Sequence, residues 1–257
     1  MQEQKTIRNA LYAGNFYPSG KKALSEMIDG FLKNSEQKKV SGKLRALVMP
    51  HAGYVYSGQV AAFGYNVLKK AKPKRIVLFG PSHHDFVEGA NGFEGKWITP
   101  LGSVSVSKSD LPVIENDNEH CLEVQVPFLQ KVLKKFIFTP IIYGEISAKN
   151  LAEIIAKFSE KETVFIASSD LSHYLPYDLA KKADSESIDS VLKLDLNTFI
   201  ESGDACGKTG IAVLIILAKK YGWKPLLLEY KNSGDTSGNK NNVVGYASIA
   251  FIDKEGK

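Results

Sequence analysis

Short apolar runs alternate along this chain with stretches whose apolar residues return every three or four positions, a pattern that predicts strands alternating with helices. After an extended opening, Ser19 is placed to cap a helix through KKALSEMIDGFLK. LRALVMP (44–50) reads as a buried strand, GQVAAFGYNVLKKA as a helix and RIVLFGP (75–81) as a second buried strand. The stretch from His84 to Gly102 reads as a loop with a small β excursion, and SVSVS (103–107) as an edge strand. EHCLEVQVPFLQKVLKK (119–135) is helical in pattern, with a kink or restart expected at Pro127. Strand FIFTPIIYG, helix AKNLAEIIAKF and strand TVFIASSD follow, then two or three helices from Asp178 to Tyr221. PLLLEYK and VVGYASIAFI close the sheet, joined by the polar, glycine-rich NSGDTSGN, which reads as a loop. This order predicts an α/β fold with a mainly parallel sheet covered by helices on both faces. No linker or repeat divides the chain, so residues 1–257 are expected to form a single domain.

Composition changes this picture little and excludes much. The chain has 257 residues, 44% of them hydrophobic, and is long enough to hold a core without disulfides or a structural metal. Its longest apolar run, IAVLIILA (211–218), is far short of the roughly 20 residues that span a bilayer. The opening MQEQKTIRNALYAGNF lacks the apolar stretch of a secretory signal, and the only cysteines, Cys121 and Cys206, form no CxxC motif. A reducing, cytoplasmic location with both thiols free is expected. The net charge of +5 invites a nucleic-acid reading, but only three of the 33 basic residues are arginine and the lysines are scattered as helix-face pairs. Neither nucleic acid nor membrane is expected as a partner.

The chemistry gathers where strands end. LVMPH puts His51 just past one apolar run, VLFGPSHH puts His83 and His84 past another, and VFIASSDLSH puts Asp170 and His173 past a third. In open parallel α/β sheets, ligands bind beyond the carboxyl ends of the strands. Four of the five histidines therefore fall on the edge where sites form, and imidazole serves both as metal ligand and as proton carrier. The fifth, His120, opens the EHCLE helix between Glu119 and Glu123 and can add an acid or substrate-binding group to the same crevice. Cys206 precedes a helix start, a place that can lower a thiol pKa, although a small buried cysteine is the better account of it. Ser57 and Ser168–Ser169 lack a GxSxG elbow, and GDACGKTG lacks the spacing of a phosphate loop.

AGNFYP, PHAGYVYSG, GPSHH, NEHCLEVQVPFL, SSDLSHY and the GDTSG…VVGYA ending, in this order from about Arg8 to Ala250, resemble the Memo family, whose prokaryotic members are described as AmmeMemoRadiSam system protein B. That resemblance implies a fold like that of the class III extradiol ring-cleaving dioxygenases, a three-layer α/β/α domain with a non-haem iron site at the strand ends. It implies His51 and His83 as metal ligands and His173, with Asp170 beside it, as the acid/base. At the third ligand position animal Memo proteins carry a cysteine and the dioxygenases a glutamate. Here the position is Thr236, with Asp235 adjacent and no cysteine expected within reach.

The sequence thus leads to a metal-binding protein with a dioxygenase-like crevice, Fe(II) or another divalent ion on His51 and His83 with Asp235, Thr236 or water as the third ligand, and catalytic roles for His173, Asp170 and His120. Oxidoreductase activity on an unidentified small molecule is the first reading. A binding module that uses the crevice, with Tyr54, Tyr56, Tyr174 and Tyr177 as its lining, for a peptide or partner protein is the second. A metal-dependent hydrolase is the third. The resemblance further implies radical-SAM and AMMECR-type proteins as associates.

Overall fold

In a computed structural model, which describes residues 6–35, 40–114 and 118–254, the alternation read from the sequence becomes a series of strands and helices in nearly the expected places. The chain runs through β1 (Ile7–Arg8), α1 (Lys21–Asn34), β2 (Lys43–Met49), α2 (Tyr54–Ala71) and β3 (Arg75–Pro81). Three short strands follow, β4 (Ala90–Gly92), β5 (Lys96–Thr99) and β6 (Gly102–Ser105), then α3 (His120–Glu123), α4 (Val126–Val132), β7 (Ile137–Tyr143) and α5 (Ala148–Ala156). Next come β8 (Thr163–Ser168), β9 (His173–Leu175), α6 (Tyr177–Leu192), α7 (Leu196–Ser202) and α8 (Lys208–Tyr221). The described chain ends with β10 (Lys224–Asn232), α9 (Ser233–Ser237) and β11 (Val243–Asp253).

The main sheet has the order β10-β11-β2-β8-β3-β7-β4, with β9 added against β11. Strands β2, β8, β3 and β7 pair in parallel. The other pairings are antiparallel, so the sheet is mixed rather than mainly parallel. The cause is local: β10 and β11 are joined by a connection too short for a parallel crossover, and β11 then lies antiparallel on β2.

Side chains on a strand alternate between faces, and β2 shows the consequence. Leu47 and Met49 join a core with Leu24, Ile28, Tyr65, Leu68 and Phe128. Ala46 and Val48 join the other, with Leu151, Ile155, Ile211 and Leu214. The sheet is therefore covered on both faces, by α1, α2 and α4 on one side and α5 and α8 on the other. Among the described residues no helix is long and apolar enough to cross a membrane.

Three local expectations change. Gly20, not Ser19, stands at the start of α1, with no side-chain cap. Pro127 falls in the first turn of α4, where a missing N–H costs nothing, and the helix read as continuous splits into α3 and α4. The NSGDTSGN segment folds as the short helix α9 because Asn232 and Asp235 form a reciprocal capping box.

Candidate metal centre

The order β2-β8-β3 decides the site. β2 and β3 flank β8, Met49 is in register with Ser168, and Phe79 with Ala167. Residues just past β2 and β3 therefore emerge on either side of the end of β8. His51 and His83 stand there, their ring centroids 5.2 Å apart. His120, the first residue of α3, completes a triangle at 5.3 Å from His51 and 4.8 Å from His83. One ligand atom from each of these three histidines lies within 4.8 Å of the others.

The hydrogen-bond network assigns the ligand nitrogen of His51 and of His83, and proximity to Glu119 points to that of His120. Ser168 Oγ donates its single proton to the Cys121 carbonyl at 2.6 Å. It must then accept from His51 Nδ1, 3.1 Å away, which leaves the lone pair on His51 Nε2, with Cys206 Sγ 3.2 Å from it. Glu119 Oε1 lies 2.9 Å from His83 Nδ1 and 3.0 Å from His120 Nδ1, so both rings also turn Nε2 away from the carboxylate. Glu119 accepts from the backbone N–H of His83, His120 and Cys121 as well, and so caps α3. Burial alone would raise this carboxyl, but the close His120 and His83 imidazoles, the latter hydrogen-bonded, outweigh it and hold Glu119 well below the usual carboxylate range. A carboxylate that orients ligating imidazoles through Nδ1 is a common outer partner of metal sites.

Burial, together with His120 and His83 nearby, pushes the pKa of His51 well below its ordinary value, so this ring is neutral and ready to ligate. The donor set fits a divalent ion. His83, Glu119 and Cys121 also lie close enough to form a group. The Glu119 oxygens, however, are already taken by N–H donors, and Cys121 Sγ donates to Pro81 O at 3.3 Å.

A crevice of about 620 Å³ opens over these rings, lined also by Phe16, Tyr56, Asp170, His173, Tyr174 and Tyr246. A slightly larger cavity of about 690 Å³ lies beside Lys43 and Lys72, near the starts of β2 and β8, and no histidine or cysteine lines it. Asp170 is buried, accepts from the His51 N–H at 2.7 Å, and burial pushes its carboxyl up to about 6. The following turn is pinned where Ser172 N donates to Asp184 Oδ1 and Gly245 N donates to Ser172 O. The Asp184 carboxylate packs so closely that a Cβ on Gly245 would come within 2.1 Å of it. This anchor sets His173 at the rim of the crevice.

Asp235 stands elsewhere. Its carboxylate accepts from Asn232 N at 3.0 Å and from the Tyr177 hydroxyl at 2.6 Å, and it belongs to neither ligand group found among the described residues. Thr236 Oγ1 donates to Ser233 O. The loop brings Ser233, Ser237, Asn239 and Asn242 to the crevice instead. Of the tyrosines, Tyr56 and Tyr174 line the crevice, Tyr54 is buried with its hydroxyl on Val124 O, and Tyr177 is held by Asp235. A cysteine is within reach after all: Cys206 Sγ lies 3.2 Å from His51 Nε2. Burial pushes this thiol up to about 12, the opposite of the lowering a helix start suggested. Both cysteines are free.

Since Asp235 serves α9, Asp235→Asn should leave divalent-metal titrations unchanged while costing about 0.5–2 kcal/mol of stability, the usual range for a lost helix cap. A metal affinity tenfold lower in that variant would return Asp235 to the centre.

Fold and site together define an α/β protein with a three-histidine cluster, able to hold a divalent metal, at the carboxyl ends of its parallel strands. The chain matches the Memo-like protein family over residues 8–250. It is 36% identical over 265 residues to a MEMO1 family protein of Thermoplasma volcanium, covering 95% of this chain and 97% of that one. It is 37% identical over 276 residues to one from Saccharolobus solfataricus (93% and 97% covered) and 38% identical over 283 residues to one from Sulfolobus acidocaldarius (96% and 100% covered). This chain belongs to the Memo-like family.

Proposed function

We propose that the chain is a divalent-metal protein that carries its ion on His51, His83 and His120 and acts as a non-haem, Fe(II)-type oxidoreductase on a small-molecule substrate. One observation carries the reading: a ligand atom from each of three imidazoles lies within 4.8 Å of the others, and hydrogen bonds at Nδ1 of His51 and of His83 leave their Nε2 atoms to ligate. When bound, the ion supplies Lewis acidity toward an oxygen ligand and, if it is iron, access to O2 chemistry. Asp170 and His173, both lining the crevice, hold and move the proton. No lysine, arginine or glutamate is among the described residues lining the crevice; Asp170 is the carboxylate there, beside imidazoles, hydroxyls, amides and aromatic rings. The likeness to class III extradiol dioxygenases supports the redox assignment; the cysteine usage supports a cytoplasmic location, and the Memo-family likeness alone supports radical-SAM and AMMECR-type associates.

A second reading, metal-dependent hydrolysis, is favoured by the ligand set itself. Three neutral imidazoles without a carboxylate suit a catalytic zinc that activates water, whereas the iron facial triad uses two histidines and a carboxylate.

The deciding experiment is metal analysis of protein made without chelators or a histidine tag, followed by oxygen-electrode assays of the loaded form. Iron with O2 uptake supports the oxidoreductase. Zinc with ester turnover and no O2 uptake replaces it with the hydrolase. Protein that binds neither ion overturns the metal reading and leaves a crevice for a peptide or partner protein.

A further inference from the structure

The N-terminal segment packs against the metal centre without belonging to any long element, and one buried carboxylate holds it there. We propose that Glu123 is a positioning residue of this centre: it clamps residues 8–17 so that the rings of Tyr12 and Phe16 hold the His120 imidazole in its ligating pose. The inference rests on the metal reading above.

Glu123 follows His120 by three residues on α3 and is 1% exposed. A buried carboxylate must be matched by donors, and here all of them come from the N-terminal segment. Arg8 Nη1 donates at 2.5 Å, Leu11 N at 3.1 Å, Tyr12 N at 2.8 Å and the Tyr17 hydroxyl at 2.6 Å. Leu11 is exposed and Tyr12 half-buried, yet their backbone N–H groups turn inward to the buried carboxylate. Arg8 extends the clamp by donating Nη2 to the Glu119 carbonyl at 2.7 Å and by lying 4.5 Å over the Trp97 ring.

The clamped segment then touches the centre. Phe16 lies 4.8 Å and Tyr12 5.5 Å, centroid to centroid, from the His120 ring, and the two aromatic rings contact each other edge-on at 5.1 Å. The Tyr12 hydroxyl donates to Asn118 O. Phe16 O accepts from Tyr54 N at 2.7 Å, which ties the segment to the start of α2, three residues past His51. His120 is thus fenced by aromatic rings on one side and by His51 and His83 on the other. Its Nδ1 lies close to Glu119 but out of line for a hydrogen bond. Packing therefore has to fix a ring that the carboxylate fixes only in part.

The test is a double-mutant cycle on the full chain, read by visible absorption during Co(II) titration. Glu123→Gln turns an amide NH2 toward donors and should weaken Co(II) binding tenfold to a hundredfold, as outer-partner mutations typically do. Tyr17→Phe removes one donor, acts only through the clamp and should weaken binding a few-fold; it carries the cycle if Glu123→Gln does not fold. In a His120→Ala background neither substitution should weaken binding further, because the ring they position is gone. An equal loss in that background means general destabilisation and overturns the clamp. If the wild type binds no Co(II), the metal reading fails separately. The clamp is then read in the metal-free protein by NMR relaxation of the His120 ring. That ring should become mobile in Glu123→Gln, and an unchanged ring overturns the proposal.

Discussion

Replacing His120 by alanine is expected to lower divalent-metal affinity by at least about a hundredfold, the upper end of what outer-partner mutations do, because a ligand itself is lost. The ring stands 5.3 Å and 4.8 Å from those of His51 and His83, and no other imidazole is placed to replace it. His84, 5.9 Å from His120, is exposed and belongs to neither ligand group among the described residues. Two imidazoles supply only half of a tetrahedral shell and leave the rest to solvent. The fold should survive: His120 is the first residue of a four-residue helix, and its backbone N–H still reaches Glu119. Isothermal titration with Zn(II) or Fe(II), alongside near-ultraviolet circular dichroism, checks both halves. Wild-type affinity in a folded His120→Ala variant would remove His120 from the centre.

What the sequence made legible follows from which interactions are local. β2, β3 and β8 are continuous apolar runs, so their ends, and with them His51, His83 and Asp170, could be placed at one edge from pattern alone. The pairing order of those strands is non-local, and only that order brings the two imidazoles to either side of β8. The direction of β11 was equally hidden, because β-branched apolar runs read alike in parallel and antiparallel strands. His120 was assigned to the crevice but not to the ligand set, since nothing in EHCLE says that its ring meets two others from distant strands. The signal was present in Glu119: a carboxylate just before a histidine at a helix start caps the helix and can also reach imidazoles. Asp235 misled for the same local reason in reverse. An acid three residues after Asn232 is what a capping box needs, and that role satisfies it without a metal. Cys206 is 155 residues from His51, and no spacing rule links the two.

The second large effect is expected at Glu119, and its cause is an excess of donors. The carboxylate is 3% exposed and receives N–H groups from His83, twice, and from His120 and Cys121. Glutamine keeps the shape but offers one acceptor oxygen, and its NH2 would face groups that are themselves donors. Each buried donor left unsatisfied costs about 1–3 kcal/mol, so Glu119→Gln should lose several kcal/mol by denaturant unfolding. Metal binding should weaken tenfold to a hundredfold as the His83 and His120 rings lose their common anchor. The two losses are separable. Metal in excess stabilises the folded state by mass action, so it should recover part of the stability of Glu119→Gln but none in a variant that also lacks His120 and His83. Metal that stabilises both variants equally would show that the ion sits away from these rings. A Glu119→Gln protein with wild-type stability and affinity would show that the carboxylate anchors neither imidazole.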